Sequence, residues 1–186
     1  LELSRDVQRK RRLESGIPHI CLIGYTNTGK STILNQLTKA NVLAEDKLFA
    51  TLDTTTRELF IEGKKKGVIS DTVGFIQQLP HHLIEAFKST LSELNHADLL
   101  LHIVDLSDSN WKNHVDVVTK ILNDLKLKKD ILYVFNKVDA LEEETIPTSD
   151  LELYEPHVII SARSKEGIAP LVNFLHTWEK KGTDKK

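Results

Sequence analysis

The sequence predicts an α/β fold, a mostly parallel six-stranded sheet with helices on both faces, and three observations predict it. Leu99-Leu100-Leu101-His102-Ile103-Val104 and Ile131-Leu132-Tyr133-Val134-Phe135 are nearly continuous apolar runs, the pattern of strands covered on both faces. Apolar residues at helical spacing follow such runs: Val118, Ile121, Leu122 and Leu125 after one, and Ile168, Leu171, Val172, Leu175 and Trp178 near the end of the chain. Between a strand-like run and another helical stripe lies Gly24-Tyr25-Thr26-Asn27-Thr28-Gly29-Lys30-Ser31, of the form G-x-x-x-x-G-K-[ST].

Taken in order, residues 1–14 read as a basic helix ended by Gly16 and Pro18. His19-Ile20-Cys21-Leu22-Ile23 is the first strand, and Ile33, Leu34 and Leu37 mark the helix beyond the glycine loop. A polar, threonine-rich loop spans residues 44–57. Glu58-Leu59-Phe60-Ile61 and Gly67-Val68-Ile69-Ser70-Asp71 then form a hairpin, with Lys64, Lys65 and Lys66 in its turn. Leu83, Phe87, Leu91 and Leu94 give a helical stripe, and His157-Val158-Ile159-Ile160 supplies the last strand before the final helix. Strands alternating with helices imply the parallel sheet. His102, Trp111 and Trp178 are expected to be packing residues.

Composition places the chain among soluble globular domains: 186 residues, 40% hydrophobic and 28% charged, with a formal net charge of −2. No apolar run reaches the length of a membrane span and no signal-peptide pattern opens the chain, so stable membrane insertion is not expected and a cytoplasmic location is. The single cysteine, Cys21, lies within the first strand, which excludes a disulfide framework. The chain has no methionine and starts at Leu1, so it is expected to be a piece of a longer protein. Basic runs near the N-terminus, at residues 64–66 and at the C-terminus read as solvated faces, with contact to nucleic-acid phosphates the alternative.

The glycine loop is suited to phosphate. Its backbone N–H groups point inward at α- and β-phosphates, and it opens a helix N-terminus, where free donors and the helix dipole favour an anion. Asn27, Thr28, Gly29, Lys30, Ser31 and Thr32 are the residues expected around it; Lys30 reaches the β- and γ-phosphates and Ser31 ligates Mg²⁺. In such sheets ligands sit beyond the carboxyl ends of the strands, and further chemistry appears there. Asp71-Thr72-Val73-Gly74 offers a carboxylate for Mg²⁺, direct or through water, and the Gly74 N–H for the γ-phosphate. In Asn136-Lys137-Val138-Asp139 the Asp139 carboxylate can accept from N1–H and the 2-amino group of guanine; adenine has neither donor and would leave the carboxylate unpaired. Asn136 would bridge base and phosphate loop, and the Lys137 stem would cover the base plane. Ser161-Ala162-Arg163 places the Ala162 N–H to meet guanine O6. The order of these motifs points to GTP and GDP rather than ATP.

These residues resemble the translational GTPases, and more narrowly the HflX family. The resemblance is carried by Gly24-Tyr25-Thr26-Asn27, Phe49-Ala50-Thr51-Leu52-Asp53, Asp71-Thr72-Val73-Gly74-Phe75-Ile76, Leu79-Pro80-His81, Glu85-Ala86-Phe87-Lys88-Ser89-Thr90-Leu91 and Ala97-Asp98-Leu99-Leu100-Leu101-His102, and it covers roughly residues 3–178. It implies the Ras-like P-loop GTPase domain, hydrolysis of GTP to GDP and phosphate, a large-ribosomal-subunit partner, and splitting or rescue of stalled ribosomes. Lys30, Thr51 and Gly74 become the catalytic candidates and Ser31, Thr51 and Asp71 the Mg²⁺ ligands, with Thr54, Thr55 and Thr56 as neighbours of the switch threonine; Thr54 departs from the proline usual in the family. Phe75 stands where signalling GTPases place the glutamine that orients water, so slow intrinsic turnover is expected. An alternative is a nucleotide-gated RNA- or protein-binding module with incidental hydrolysis. Asn27 occupies the position at which several GTPases hold K⁺, or serves only a tight turn. Arg57 reads as a switch-flanking salt bridge or as a charge-stabilising finger. The family carries an N-terminal domain and helical linker, so residues 1–16 are expected to end that linker, 17–180 to form the GTPase domain, and 181–186 a basic tail. A monomer is expected.

Overall fold

The computed structural model describes residues 16–38, 55–72 and 94–180. Its elements in chain order are β1 (His19–Gly24), α1 (Lys30–Thr38), β2 (Thr55–Ile61), β3 (Lys64–Asp71), β4 (Leu99–Asp105), α2 (Trp111–Asp124), β5 (Asp130–Asn136), α3 (Thr148–Leu151), β6 (His157–Ile159) and α4 (Ala169–Thr177). The six strands form one sheet in the order β2-β3-β1-β4-β5-β6. β2 runs antiparallel to β3, and all other pairs are parallel. The expected fold class is what the structure contains.

Strand alternation sends side chains to two cores. On one face Ile20, Leu22, Leu99, Leu101, Ile103, Leu132 and Val134 pack against Ile33, Leu34 and Leu37 of α1 and Leu171 and Leu175 of α4. On the other, Cys21, Ile23 and Leu100 meet Val118 and Leu122 of α2, while Val104 and Phe135 meet Trp111, Val115 and Leu151. Both faces of β1, β4 and β5 are thus covered, which is why their sequences show no polar alternation. Cys21, Trp111 and His102 are buried, and Trp178 packs against the first core. Among the described residues no helix is long and apolar enough to cross a membrane.

The hairpin differs from the sequence expectation. Lys64, Lys65 and Lys66 lie in β3, where Lys64 pairs with Ile61 and Lys65 with Phe60. The turn is only Glu62-Gly63, both at positive φ (51° and 77°), the two-residue geometry that matches strand twist. Lysine is tolerated in the strand because this end of the sheet is exposed, and Lys65 pairs with Glu58 across it. A bulge between Leu59 and Phe60 shifts the register there. The N-terminal basic run, the C-terminal run beyond Lys180 and the stripe Leu83, Phe87 and Leu91 lie outside the described residues, while Lys180 pairs with Asp98 at 3.0 Å.

Chain order reverses around β1, which sits between β3 and β4. A crevice beyond the carboxyl ends of the strands is expected at such a switch point, and the glycine loop leaves β1 there.

Candidate functional site

At the end of β1 the backbone of Gly24 passes so close to β4 that a Cβ would stand 2.3 Å from the Ile103 carbonyl oxygen. The loop then turns through Asn27 at φ 61° and Gly29 at φ 97°. Left-handed φ suits asparagine better than most side chains, which favours the tight-turn reading of Asn27; its side chain is exposed. Thr28 Oγ1 donates to the Tyr25 carbonyl at 3.1 Å, and the Gly29 carbonyl accepts the first α1 hydrogen bond from Ile33 at 3.0 Å. The Tyr25 ring stacks on His114 of α2, with centroids 3.9 Å apart and planes 8° from parallel.

Lys30 and Ser31 open α1. The Lys30 ammonium is buried and donates to the Tyr25 carbonyl at 2.9 Å and the Gly24 carbonyl at 3.4 Å. Burial lowers its pKa to about 8, with the Asp71 carboxylate opposing that shift. Ser31 Oγ donates to Asp71 Oδ2 at 2.6 Å, so two of the three expected Mg²⁺ ligands stand together. Thr32 follows, half-buried, in the first turn of α1. Thr72 is anchored by donating its hydroxyl to the Leu22 carbonyl at 2.6 Å, which fixes the end of β3 against β1. No cluster of three or more His, Cys, Asp or Glu side chains able to hold a metal occurs among the described residues. Hard oxygen donors from one hydroxyl and one carboxylate fit Mg²⁺, which takes few protein ligands and completes its shell with water and phosphate.

The second half of the site comes from β5 and the loop after β6. Asn136 is buried and reaches two ways: its amide nitrogen donates to the Thr28 carbonyl at 2.9 Å, and its amide oxygen accepts from the Ala162 N–H at 3.0 Å. Lys137, itself at φ 67°, donates to the Asn27 carbonyl at 2.9 Å and pairs with Asp105 at 2.7 Å. Asp139 Oδ1 accepts from Ser161 Oγ at 2.6 Å, and Oδ2 lies 2.9 Å from Arg163 Nη1. Gln36 of α1 donates to the Ala162 carbonyl at 3.3 Å, tying the phosphate-loop helix to the same loop.

The structure therefore brings together Asn27, Thr28, Gly29, Lys30, Ser31, Thr32, Asp71, Asn136, Lys137, Asp139, Ser161, Ala162 and Arg163. Thr51, Gly74 and Phe75 lie outside the described residues, as does Thr54. Thr56 belongs to β2, where its hydroxyl lies 2.8 Å from Ser70 Oγ, so it is engaged within the sheet. Arg57 is exposed on β2. Sequence reasoning missed Asp105 and His114. Asp105 carried a usable signal, a carboxylate at the carboxyl end of a strand; His114 became visible only once α2 was packed beside the loop.

Fold and site together define a P-loop GTPase domain. Residues 19–137 match the family described as 50S ribosome-binding GTPase. The chain belongs to that family. GTPase HflX of Lacrimispora saccharolytica is 48% identical over 174 residues, covering 93% of this chain and 41% of that protein. GTPase HflX of Escherichia coli (strain K12) is 40% identical over 177 residues, 94% of this chain and 42% of that protein. The chain thus spans about two fifths of the length of these relatives. Among solved structures, a variant of Aquifex aeolicus Era bound to GDP and aluminium fluoride superposes with TM-score 0.73 at 20% identity, over 88% of this chain and 57% of that one. NFeoB from S. thermophilus bound to GDP, aluminium fluoride and K⁺ gives 0.67 at 21%, over 86% and 61%. At these identities the likeness is one of fold.

Proposed function

We propose that this domain binds GTP with Mg²⁺ and hydrolyses it to GDP and phosphate, and that in the whole protein the cycle is coupled to the large ribosomal subunit, in splitting or rescue of stalled ribosomes. The observation that carries the reading is Asn136, which bonds the phosphate loop through Thr28 and the base loop through Ala162. One buried amide joins the parts that would grip phosphate and those that would read guanine.

In this reading the loop N–H groups and Lys30 hold the phosphates, and Lys30 supports the negative charge on the γ-phosphate as the bond to it breaks. Ser31 and Asp71 would hold Mg²⁺, which would supply positive charge to offset that of the phosphates. Asp139 accepts from guanine N1–H and the 2-amino group. The Ala162 N–H, which donates to the Asn136 amide oxygen, would have to share its proton to reach O6, and the Lys137 stem covers the base. Ser161 and Arg163 steady Asp139. Thr51 and Gly74 are assigned to the γ-phosphate and, for Thr51, to the metal on the strength of the family resemblance. With Phe75 in place of a water-orienting glutamine, intrinsic turnover is slow and the ribosome completes the site. Asn27 serves the turn first, and its exposed side chain leaves room for a K⁺ role; NFeoB, whose structure contains K⁺, supports testing it. The family description and the HflX relatives support the ribosomal partner, and the bacterial relatives support a cytoplasmic location.

The test is GTP turnover by the full-length protein in K⁺ and in Na⁺ buffer, with and without purified large ribosomal subunits. The expected result is slow basal turnover that the subunits stimulate strongly. Turnover that ignores the subunits while GTP still binds would replace the ribosome-stimulated enzyme with a nucleotide-gated binding module.

A further inference from the structure

Lys137 is held by a carboxylate outside every motif that marks the site. Asp105 closes β4 directly opposite Asn136 in the parallel register, and the Leu106 N–H donates to the Asn136 carbonyl at 2.9 Å. The two strand ends therefore leave the sheet together. Asp105 divides its carboxylate between two tasks. Oδ1 accepts from the Ser107 N–H at 3.1 Å and from Ser107 Oγ at 2.6 Å, which shapes the turn after β4. Oδ2 pairs with the Lys137 ammonium at 2.7 Å, and the two side chains are 15% and 31% exposed. The same ammonium donates to the Asn27 carbonyl.

We infer that Asp105 is a positioning residue for the guanine nucleotide, acting through Lys137; the inference rests on the nucleotide reading above. A lysine head is a compact charge with rotatable donors on a flexible four-carbon stem, and fixing such a stem costs conformational entropy. The Asp105 carboxylate and the Asn27 carbonyl fix the head from two sides, so the stem is ordered before a base lies against it. Ordering a contact surface in advance slows release by removing that cost from binding. The left-handed backbone at Lys137 adds to the need, because φ 67° is costly for a residue with a side chain.

The experiment is the release rate of a fluorescent GDP analogue from the full-length protein carrying Asp105→Asn, Lys137→Ala, both together, or Ser107→Ala. Asp105→Asn keeps an acceptor for Ser107 and removes the charge from Lys137, so it separates the ion pair from the turn. It is expected to speed release roughly 5- to 20-fold, as loss of a partly buried, charge-assisted contact does. Added to Lys137→Ala it should change release by less than about twofold, the signature of action through Lys137. Ser107→Ala should leave release unchanged. The inference is overturned by release from Asp105→Asn at the wild-type rate, by equal acceleration in the Lys137→Ala background, or by Ser107→Ala matching Asp105→Asn. Each of those leaves the nucleotide reading standing. A wild-type protein that does not retain the analogue at all removes that reading, and this inference with it.

Discussion

Replacing Asp139 with asparagine tests base selection through one atom. The carboxylate accepts from Ser161 on Oδ1 and faces Arg163 on Oδ2, and its side chain is 27% exposed. Asparagine keeps an oxygen able to accept from Ser161 and turns the other oxygen into an NH₂ donor. Toward guanine, one charge-assisted acceptor is lost and a donor now opposes a donor. Together these cost about 3–4 kcal/mol, which weakens GDP binding by roughly 10²–10³-fold. Xanthine carries an oxygen in place of the 2-amino group, so the new NH₂ has an acceptor and affinity for xanthosine diphosphate should rise. The lost pairing with Arg163 contributes little, because that guanidinium is 83% exposed. The assay is competition of GDP, xanthosine diphosphate and ADP against a fluorescent GDP analogue, on wild type and Asp139→Asn. Full retention of GDP selectivity by the variant refutes the assignment of Asp139 to the base. Loss of GDP with no gain of xanthosine diphosphate refutes the geometry, since it means the carboxylate supports the loop without facing the base.

Two pH dependences follow from buried groups at the site. Lys30 has its pKa lowered to about 8 by burial, while a bound phosphate would hold the proton on. GDP affinity should therefore be level below pH 8 and fall by up to about tenfold per unit above it, as titration calorimetry between pH 7 and 9 would show; a level profile across that range refutes a charged Lys30 at the phosphates. His102 has its pKa lowered to about 3, by burial first and by the Lys30 charge second. Its folded pKa lies below the unfolded value near 6.5, so the unfolded chain takes the extra proton, and stability present above pH 6.5 is lost as pH falls toward 3. Denaturant melts of His102→Leu should show a shallower acid decline than wild type, and identical slopes would remove His102 as its source.

How far the sequence could be read depends on how local each signal is. β4 and β5 were legible because strands buried on both faces announce themselves by unbroken apolar runs. The site motifs were legible because each occupies a few consecutive residues at a strand end. The hairpin turn was not, since three lysines look like a loop until Glu62 and Gly63 are seen to take the whole turn at positive φ. The sheet order was equally hidden, because register between β1, β3 and β4 is a property of distant segments. Asp105 and His114 belong with this last group. Asp105 shows in the sequence only as a carboxylate at a strand end and His114 not at all, and each gains meaning from what packs opposite: Lys137 just beyond β5, and Tyr25 from the phosphate loop.

That distribution bears on how such a site can vary. Gly29 has no room for a side chain, since a Cβ there would stand 2.4 Å from the Asn136 amide nitrogen. The same amide nitrogen bonds Thr28, and its oxygen partner bonds Ala162. Lys137 repeats the arrangement one residue on, bonding the Asn27 carbonyl. The loop that would hold phosphates is thus shaped by the strand that would choose the base, through two consecutive side chains. A change at Asn136 that loosened base reading would leave the Thr28 carbonyl and the Ala162 N–H without their partner, a cost of about 1–3 kcal/mol for each buried group. In the proposed reading, phosphate grip and base choice would therefore be coupled. Asp139 differs from Asn136 in that its own bonds run to Ser161 and Arg163 of the loop after β6. In the proposed reading, it would be the position at which specificity changes with least effect on Asn136.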